Sequence, residues 1–180
     1  MSTQLAVLAP QSVNELQTLA ENLSKSSFVP VAMAGKPQDV AGAIMFGMEV
    51  GLKPMQALQN IAVINGRPSI YGDGMLAIVM GSEVFESIKE TFDDKTMTAT
   101  CTAVRKGGTT NTQTFSKEDA IQAGLWDGVS KKGNKLPWSA YPKIMLKFRA
   151  RGFCLRDTFP DILSGIISTE EAKDTPPPVE

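Results

Sequence analysis

Residues 136–161, LPWSAYPKIMLKFRARGFCLRDTFPD, contain the longest helical pattern in the chain. Two apolar arcs run along this helix at the helical period, formed by Ile144, Phe148 and Leu155 and by Leu146, Ala150 and Phe153. Pro142 falls within the first turn if Ser139 is the N-cap, where the missing N–H of proline costs little. The pattern predicts a long helix that is held on two sides by the core.

The same helix carries basic side chains but no acid before Asp157. Lys143, Lys147 and Arg151 form one row, at i, i+4 and i+8. Arg149 and Arg156 form a second row on about the opposite side of the helix. A solvated basic helix normally interleaves acids, so these charges need either an external anion or acidic segments elsewhere in the chain. The absence of acids within the helix favours a bound polyanion.

Charge is also segregated along the whole chain. The net charge is −1, yet residues 1–130 hold nine basic and thirteen acidic groups, residues 131–156 eight and none, and residues 157–180 one and six. The basic block begins with a polar loop that contains Lys131, Lys132 and Lys135. The neutral total therefore conceals a basic block between two acidic ones.

Composition excludes several kinds of protein and site. The chain has no histidine, the commonest general base and transition-metal ligand, and no GxxxxGK[ST] motif of a P-loop ATPase. Cys101 and Cys154 are too few and too far apart for a disulfide framework or a zinc site, so we interpret them as buried thiols. No apolar run approaches the roughly 18–20 residues of a membrane span. The N-terminus lacks signal-peptide features, and we expect a cytoplasmic protein.

The remaining patterns predict an α+β fold. Helical periodicity from Ser12, over residues 37–51 and after Pro54 predicts N-terminal helices, and Ser12 with Glu15 has the spacing of a capping box. Asn65-Gly66 between apolar runs predicts a β-hairpin. Three Thr-, Val- and Phe-rich runs over residues 84–119 predict a three-stranded antiparallel sheet with helices packed on one face. In the second run Met97, Ala99, Cys101 and Ala103 alternate with threonines, which is typical of a half-buried strand. We expect a flexible N-terminus over residues 1–10, a single domain over 11–168 and a disordered acidic, Pro-rich tail over 169–180.

Nucleic acid is the polyanion that fits these residues best. Lys and Arg supply most of its non-specific affinity, and a single strand also stacks bases on aromatic side chains such as Trp138 and Tyr141. A membrane surface would need an exposed apolar face, whereas both arcs are needed for the fold.

Two alternatives to nucleic-acid binding stay open. A nuclease could hold Mg²⁺ through Asp157 and Asp161, although pairing with Arg156 or a helix-end role is the simpler interpretation. The basic face could also bind an acidic protein.

Four motifs resemble the RecT/Bet family of phage single-strand annealing recombinases. They are GLKP (51–54), the Asn-Gly hairpin, W-x-x-YPK-x-ML-x-x-RA (138–150) and LRDTFPD (155–161), and the resemblance runs from about residue 37 to 166. It implies a DNA-binding protein without enzymatic chemistry, which anneals complementary strands without ATP and forms homo-oligomeric rings or filaments. The partners it implies are single-stranded DNA, the annealed duplex intermediate, a phage exonuclease and a host single-strand binding protein.

Carried over by position, the resemblance places the DNA in a basic groove between the long helix and the hairpin and sheet region. Lys143, Lys147, Arg149 and Arg151 lie in the matching helix and Arg67 in the matching hairpin. Arg156, Lys131, Lys132 and Lys135 are candidates on charge alone. No cofactor is expected, with Mg²⁺ only as a counterion of the DNA, and the location implied is the bacterial host cytoplasm. Members of the family usually carry a further C-terminal segment that contacts partners, where this chain has only the acidic tail.

Overall fold

A computed structural model describes residues 9–126 and 136–174. The fold is α+β, as predicted, but the chain divides into two compact units, Met1–Pro68 and Ser69–Glu180, where the sequence predicted one domain over residues 11–168. The boundary falls inside the second strand of the predicted hairpin. An Asn-Gly turn signals a chain reversal and contains no information about whether the flanking segments share a core, so the division was not visible in the sequence.

The first unit is built from helices. They are α1 (Val13–Ser24), a 3₁₀ turn (Val31–Met33), α2 (Pro37–Glu49) and α3 (Pro54–Asn60), followed by β1 (Ile61–Ile64). The side chain of Ser12 accepts a hydrogen bond from the Glu15 N–H and caps α1, as predicted. Gly47 permits close packing of α2 on α3, because a Cβ there would lie 2.2 Å from the Cβ of Ala57.

β1 and β2 (Arg67–Ile70) form the predicted hairpin. Asn65 and Gly66 both have positive φ, 51° and 74°, as a type I′ turn requires. At its far end β2 joins the second unit, where the Ile70 N–H donates to the carbonyl of Ile167 at 3.1 Å.

The second unit packs one long helix on a three-stranded antiparallel sheet. The sheet has the order β3 (Phe85–Asp93), β4 (Thr98–Arg105), β5 (Thr110–Ser116), and the helix is α7 (Pro142–Thr158). Ala99, Cys101 and Ala103 of β4 are buried towards α7, so the predicted alternation is confirmed. The residues of β4 between these buried ones are mostly threonines and lie on the other face of the sheet. On that face Lys89 of β3 stands opposite Thr102.

Shorter helices complete the second unit. They are α4 (Gly72–Met80), α5 (Lys117–Gln122), α6 (Pro137–Ala140), α8 (Pro160–Leu163) and α9 (Thr169–Asp174). The predicted disordered tail is wrong for its first six residues, which form α9 with Thr169 and Ala172 buried. Residues 1–8, 127–135 and 175–180 lie outside the described part. Of the N-terminus that was predicted to be flexible, residues 1–10, the structure therefore describes only residues 9 and 10.

The long helix begins later than predicted, at Pro142 with Tyr141 rather than Ser139 as N-cap. The ring of a proline excludes the preceding residue from the helical region. Tyr141 therefore has φ −134° and ψ 56°, which separates α6 from α7. Phe159, before Pro160, adopts nearly the same conformation, φ −131° and ψ 49°, and separates α7 from α8.

Candidate functional site

The N-terminal half of α7 presents the exposed part of the predicted basic helix. Tyr141 is 64% exposed and Ile144 and Lys143 are also exposed, while Lys147, one turn later, is half-buried. Lys147 forms no ion pair with any residue in the described part of the chain. Lys143 forms one with the exposed carboxylate of Asp94, in the turn between β3 and β4, and lies 5.4 Å from the ring centre of Phe92.

The backbone adds positive charge at the same place. No side chain caps the first turn of α7, and that turn contains no acidic residue. The aligned peptide dipoles of a helix produce about half a positive charge at its N-terminus, where acids are stabilising and lysines are not. Lys143 in the first turn therefore does not stabilise the helix through its dipole. This end of α7 combines an exposed aromatic ring, two lysines and a positive helix end, which together favour an anion.

The C-terminal half of α7 is arranged differently, because α9 covers it. Arg149 donates from Nη2 to Asp174 at 2.6 Å, and the indole N–H of Trp138 donates to the same carboxylate oxygen at 2.9 Å. The guanidinium of Arg149 lies 5.8 Å from the ring centre of Trp138 and 5.9 Å from that of Phe153. Both Arg149 and Trp138 are therefore largely buried rather than exposed for a ligand, contrary to the prediction for these two residues.

Arg156 is also paired with α9. Its Nη1 donates to Glu171 at 2.9 Å, and its guanidinium lies 5.4 Å from the ring centre of Phe153. The sequence suggested that Arg156 would pair with Asp157 or Asp161, but its partner comes from the segment that was predicted to be disordered. The second predicted basic row, Arg149 and Arg156, is thus held by two carboxylates of one short helix.

Arg151 is committed to the interior of the second unit. Its Nε and Nη2 donate to the two carboxylate oxygens of Glu90 on β3, both at 2.8 Å, and its Nη1 donates to Asp73 of α4 at 2.8 Å. Burial alone would lower the pKa of Arg151, but the hydrogen bonds and charges of Glu90 and Asp73 raise it above the ordinary arginine value. The predicted row of three cations is therefore two lysines near the surface and one internal arginine.

The other predicted cations lie elsewhere. Arg67 is exposed in the hairpin and forms no ion pair within residues 9–126 and 136–174. Lys131, Lys132 and Lys135 fall in residues 127–135, outside the described part, so the structure does not test them. The sequence places Lys135 directly before Leu136, at the start of the segment that leads into α6.

The two aspartates that a nuclease would use are engaged with side chains of the sheet. Asp161 accepts two hydrogen bonds from Arg105, at 2.6 and 2.7 Å, and Asp157 accepts one from Gln113 at 2.6 Å. Arg105 lowers the pKa of Asp161 to about 2. Within the described residues no group of three or more acidic, cysteine or histidine side chains is placed to hold a metal ion. Asp157 and Asp161 therefore attach the end of α7 and the start of α8 to β5 and β4.

The two cysteines are both buried, as predicted, but they are not isolated. Cys101 of β4 and Cys154 of α7 meet in the core between sheet and helix. The hydrogen bond with Cys154, together with burial, raises the pKa of the Cys101 thiol. Sequence spacing could not reveal this neighbour, because it depends on how α7 lies across the sheet.

Comparison with protein-family models finds no match, and comparison with curated protein sequences finds none either. None of the helices in the described residues has the length and apolar character that a membrane span requires.

Proposed function

We propose that the chain binds single-stranded DNA by its phosphate backbone through the N-terminal half of α7 and promotes ATP-independent annealing of complementary strands. The observation that carries the proposal is the cluster of Tyr141, Lys143 and Lys147 at an uncapped, acid-free helix end. Two of the motifs that resemble the RecT/Bet family, over residues 138–150 and 155–161, overlap this helix and support the same activity.

The pair between Lys143 and Asp94 is compatible with phosphate binding. Both side chains are more than half exposed, and an ion pair of this kind contributes at most about 1 kcal/mol because water and salt screen it. A phosphate can therefore replace Asp94 at little cost. Tyr141, standing beside the lysines, offers a ring on which a base can stack, and stacking contributes about 1–3 kcal/mol for each base.

Annealing needs charge screening and accessible base edges rather than bond chemistry. A strand held by phosphate contacts on an open surface keeps its bases available for pairing, and neutralised phosphates repel a second strand less. The resemblance extends the proposal to homo-oligomeric rings or filaments, to the annealed intermediate as a second ligand, and to a phage exonuclease and host single-strand binding protein as partners in a bacterial cytoplasm. Mg²⁺ would act only as a counterion.

The test is a double variant, Lys143→Ala with Lys147→Ala, compared with Lys89→Ala with Lys106→Ala. The control removes two exposed lysines of the second unit that lie on β3 and in the β4–β5 turn. Binding to labelled oligonucleotides of several sequences is measured by fluorescence anisotropy over a salt series. The α7 variant should bind all sequences more weakly, and its log–log salt slope should be shallower by about 0.7 for each lost phosphate contact.

The control variant should keep most of the affinity and the annealing rate of the unmodified protein. Equal binding by the two double variants would refute the assignment to α7. Failure of the unmodified protein to bind or anneal oligonucleotides at low salt would refute the proposed function itself.

A further inference from the structure

The acidic helix α9, Thr169–Asp174, covers a surface that has the composition of a single-strand binding site. We propose that this helix, here termed the strap, covers a second DNA-binding face of α7, about opposite to Lys143 and Lys147, and is displaced when a strand binds. The inference rests on the proposed function and adds a regulatory step to it. The strap keeps this second face closed until phosphates compete for Arg149 and Arg156 beneath it.

The surface under the strap combines guanidinium groups and aromatic rings. Arg149 lies 5.8 Å from the ring centre of Phe115 as well as close to those of Trp138 and Phe153, and Arg156 lies over Phe153. Single-strand sites use this combination, because arginine binds phosphate with two parallel hydrogen bonds while aromatic rings stack bases. Arg149 and Arg156 lie on the side of α7 about opposite to Lys143 and Lys147, nearer the C-terminal end of the helix.

The strap holds this surface through the groups that a phosphate would replace. Asp174 accepts hydrogen bonds from both Arg149 and Trp138, and Glu171 accepts from Arg156. Each carboxylate thus stands where a phosphate oxygen would make the same contact. Because the strap and the strand satisfy the same donors, they cannot bind at once, and binding of one must lower the occupancy of the other.

The other end of the strap is attached to β2 and to the start of α4. The hydroxyls of Ser69 and Thr169 are 3.2 Å apart and buried, and Ile70 and Ser168 form a short parallel β-bridge. Glu170 adds a hydrogen bond from the Gly72 N–H at 3.2 Å. Competition by anions would therefore act on the end of the strap that carries Glu171 and Asp174, while the first residues keep it attached.

A closed strap lowers the apparent affinity of the protein in proportion to the open fraction, since the apparent Kd is the intrinsic Kd divided by that fraction. Neutralising the strap should raise the open fraction. The double variant Glu171→Gln with Asp174→Asn should therefore bind single-stranded DNA about tenfold more tightly than the unmodified chain, within the range usual for coupled sites. The matched control is Glu83→Gln with Glu86→Gln, which removes two exposed acids of the same unit and changes the net charge equally.

Hydrogen exchange on the unmodified chain supplies a second measurement that does not depend on how the strap variant folds. The Ala172 N–H, which donates to the Ser168 carbonyl at 2.9 Å, and its neighbours in the strap should exchange faster when single-stranded DNA is saturating. Unchanged or slower exchange in the complex would overturn the inference, as would a strap variant that is folded and binds no more tightly than the control. If neither the unmodified chain nor the strap variant binds DNA, the proposed function fails, which is a different result from a DNA-binding protein whose strap stays closed.

Discussion

The ion pairs of Arg151 lead to the sharpest prediction about α7, because this residue was a candidate for DNA binding and the structure places it inside the second unit. We expect Arg151→Ala to lower the free energy of unfolding of that unit and to leave the affinity of the folded protein for single-stranded DNA unchanged. The Arg151 side chain is 10% exposed, that of Glu90 22% and that of Asp73 82%.

The exposed fractions of the three side chains determine how much unfolding free energy the variant should lose. Removing one partner of a largely buried pair leaves the other charge uncompensated, which costs about 3–5 kcal/mol, and the Glu90 contact belongs to this class. The Asp73 contact is open to water and contributes under about 1 kcal/mol. The expected loss for Arg151→Ala is therefore about 3–5 kcal/mol, almost all of it from the stranded carboxylate of Glu90. Adding Glu90→Gln should recover part of the loss.

Urea unfolding followed by tryptophan fluorescence is the appropriate assay. Both tryptophans, Trp126 and Trp138, lie in the unit Ser69–Glu180, so the signal reports on this unit and not on the N-terminal helices. Lys147→Ala, one turn earlier on the same helix, is the control and should change the free energy of unfolding by less than about 0.5 kcal/mol. A loss below about 1 kcal/mol for Arg151→Ala, or weakened DNA binding by a fully folded variant, would refute the reasoning.

Two further predictions concern the other unit and the end of α7. Gly47→Ala should destabilise the first unit by about 1–3 kcal/mol, because its new Cβ would overlap Ala57, whereas Gly42→Ala on the same helix meets open space and should stabilise by about 0.5–1 kcal/mol. Thermal unfolding by circular dichroism separates the two variants, and similar shifts would contradict the packing. Asp161→Asn should destabilise the second unit at neutral pH, with a difference from the unmodified chain that shrinks as pH falls from about 4, the usual pKa of an aspartate, towards about 2. The sign follows because Arg105 depresses the folded-state pKa, and a difference that stays constant between those pH values would contradict it.

Local sequence patterns predicted most of the secondary structure. The alternation that buries Ala99 and Cys101 was visible because side chains in a strand point to opposite faces in turn, and Ser12 could be recognised because its hydroxyl satisfies an unpaired helix N–H. The start of α7 was misplaced by two residues because Ser139 has the chemistry of a cap. The restriction that Pro142 imposes on Tyr141 was the stronger effect.

Partners of the charged residues were beyond the reach of the sequence. Glu90 and Asp73 reach Arg151 from 61 and 78 residues away, and only the fold brings them together. Glu171 and Asp174 were assigned to a disordered tail on the basis of the acidic, Pro-rich composition of residues 169–180. The composition of residues 169–180 describes the segment as a whole and therefore predicted disorder. Helix α9 is instead held by the burial of two individual residues, Thr169 and Ala172.

The cations of α7 divide by residue type: the arginines form internal ion pairs, and the lysines lie nearer the solvent. All three of its arginines form ion pairs within the second unit, while Lys147 has none among the described residues and Lys143 has one that is open to water. A guanidinium has a planar fork that matches a carboxylate and loses less hydration on burial than an ammonium group. Charge segregation in the sequence therefore had two sources. In the acidic segment after residue 156, Glu171 and Asp174 fold back onto Arg156 and Arg149. Lys143 and Lys147 have no comparable internal partner among the described residues, so their charge is the part of the basic block that is open to an external anion without any rearrangement.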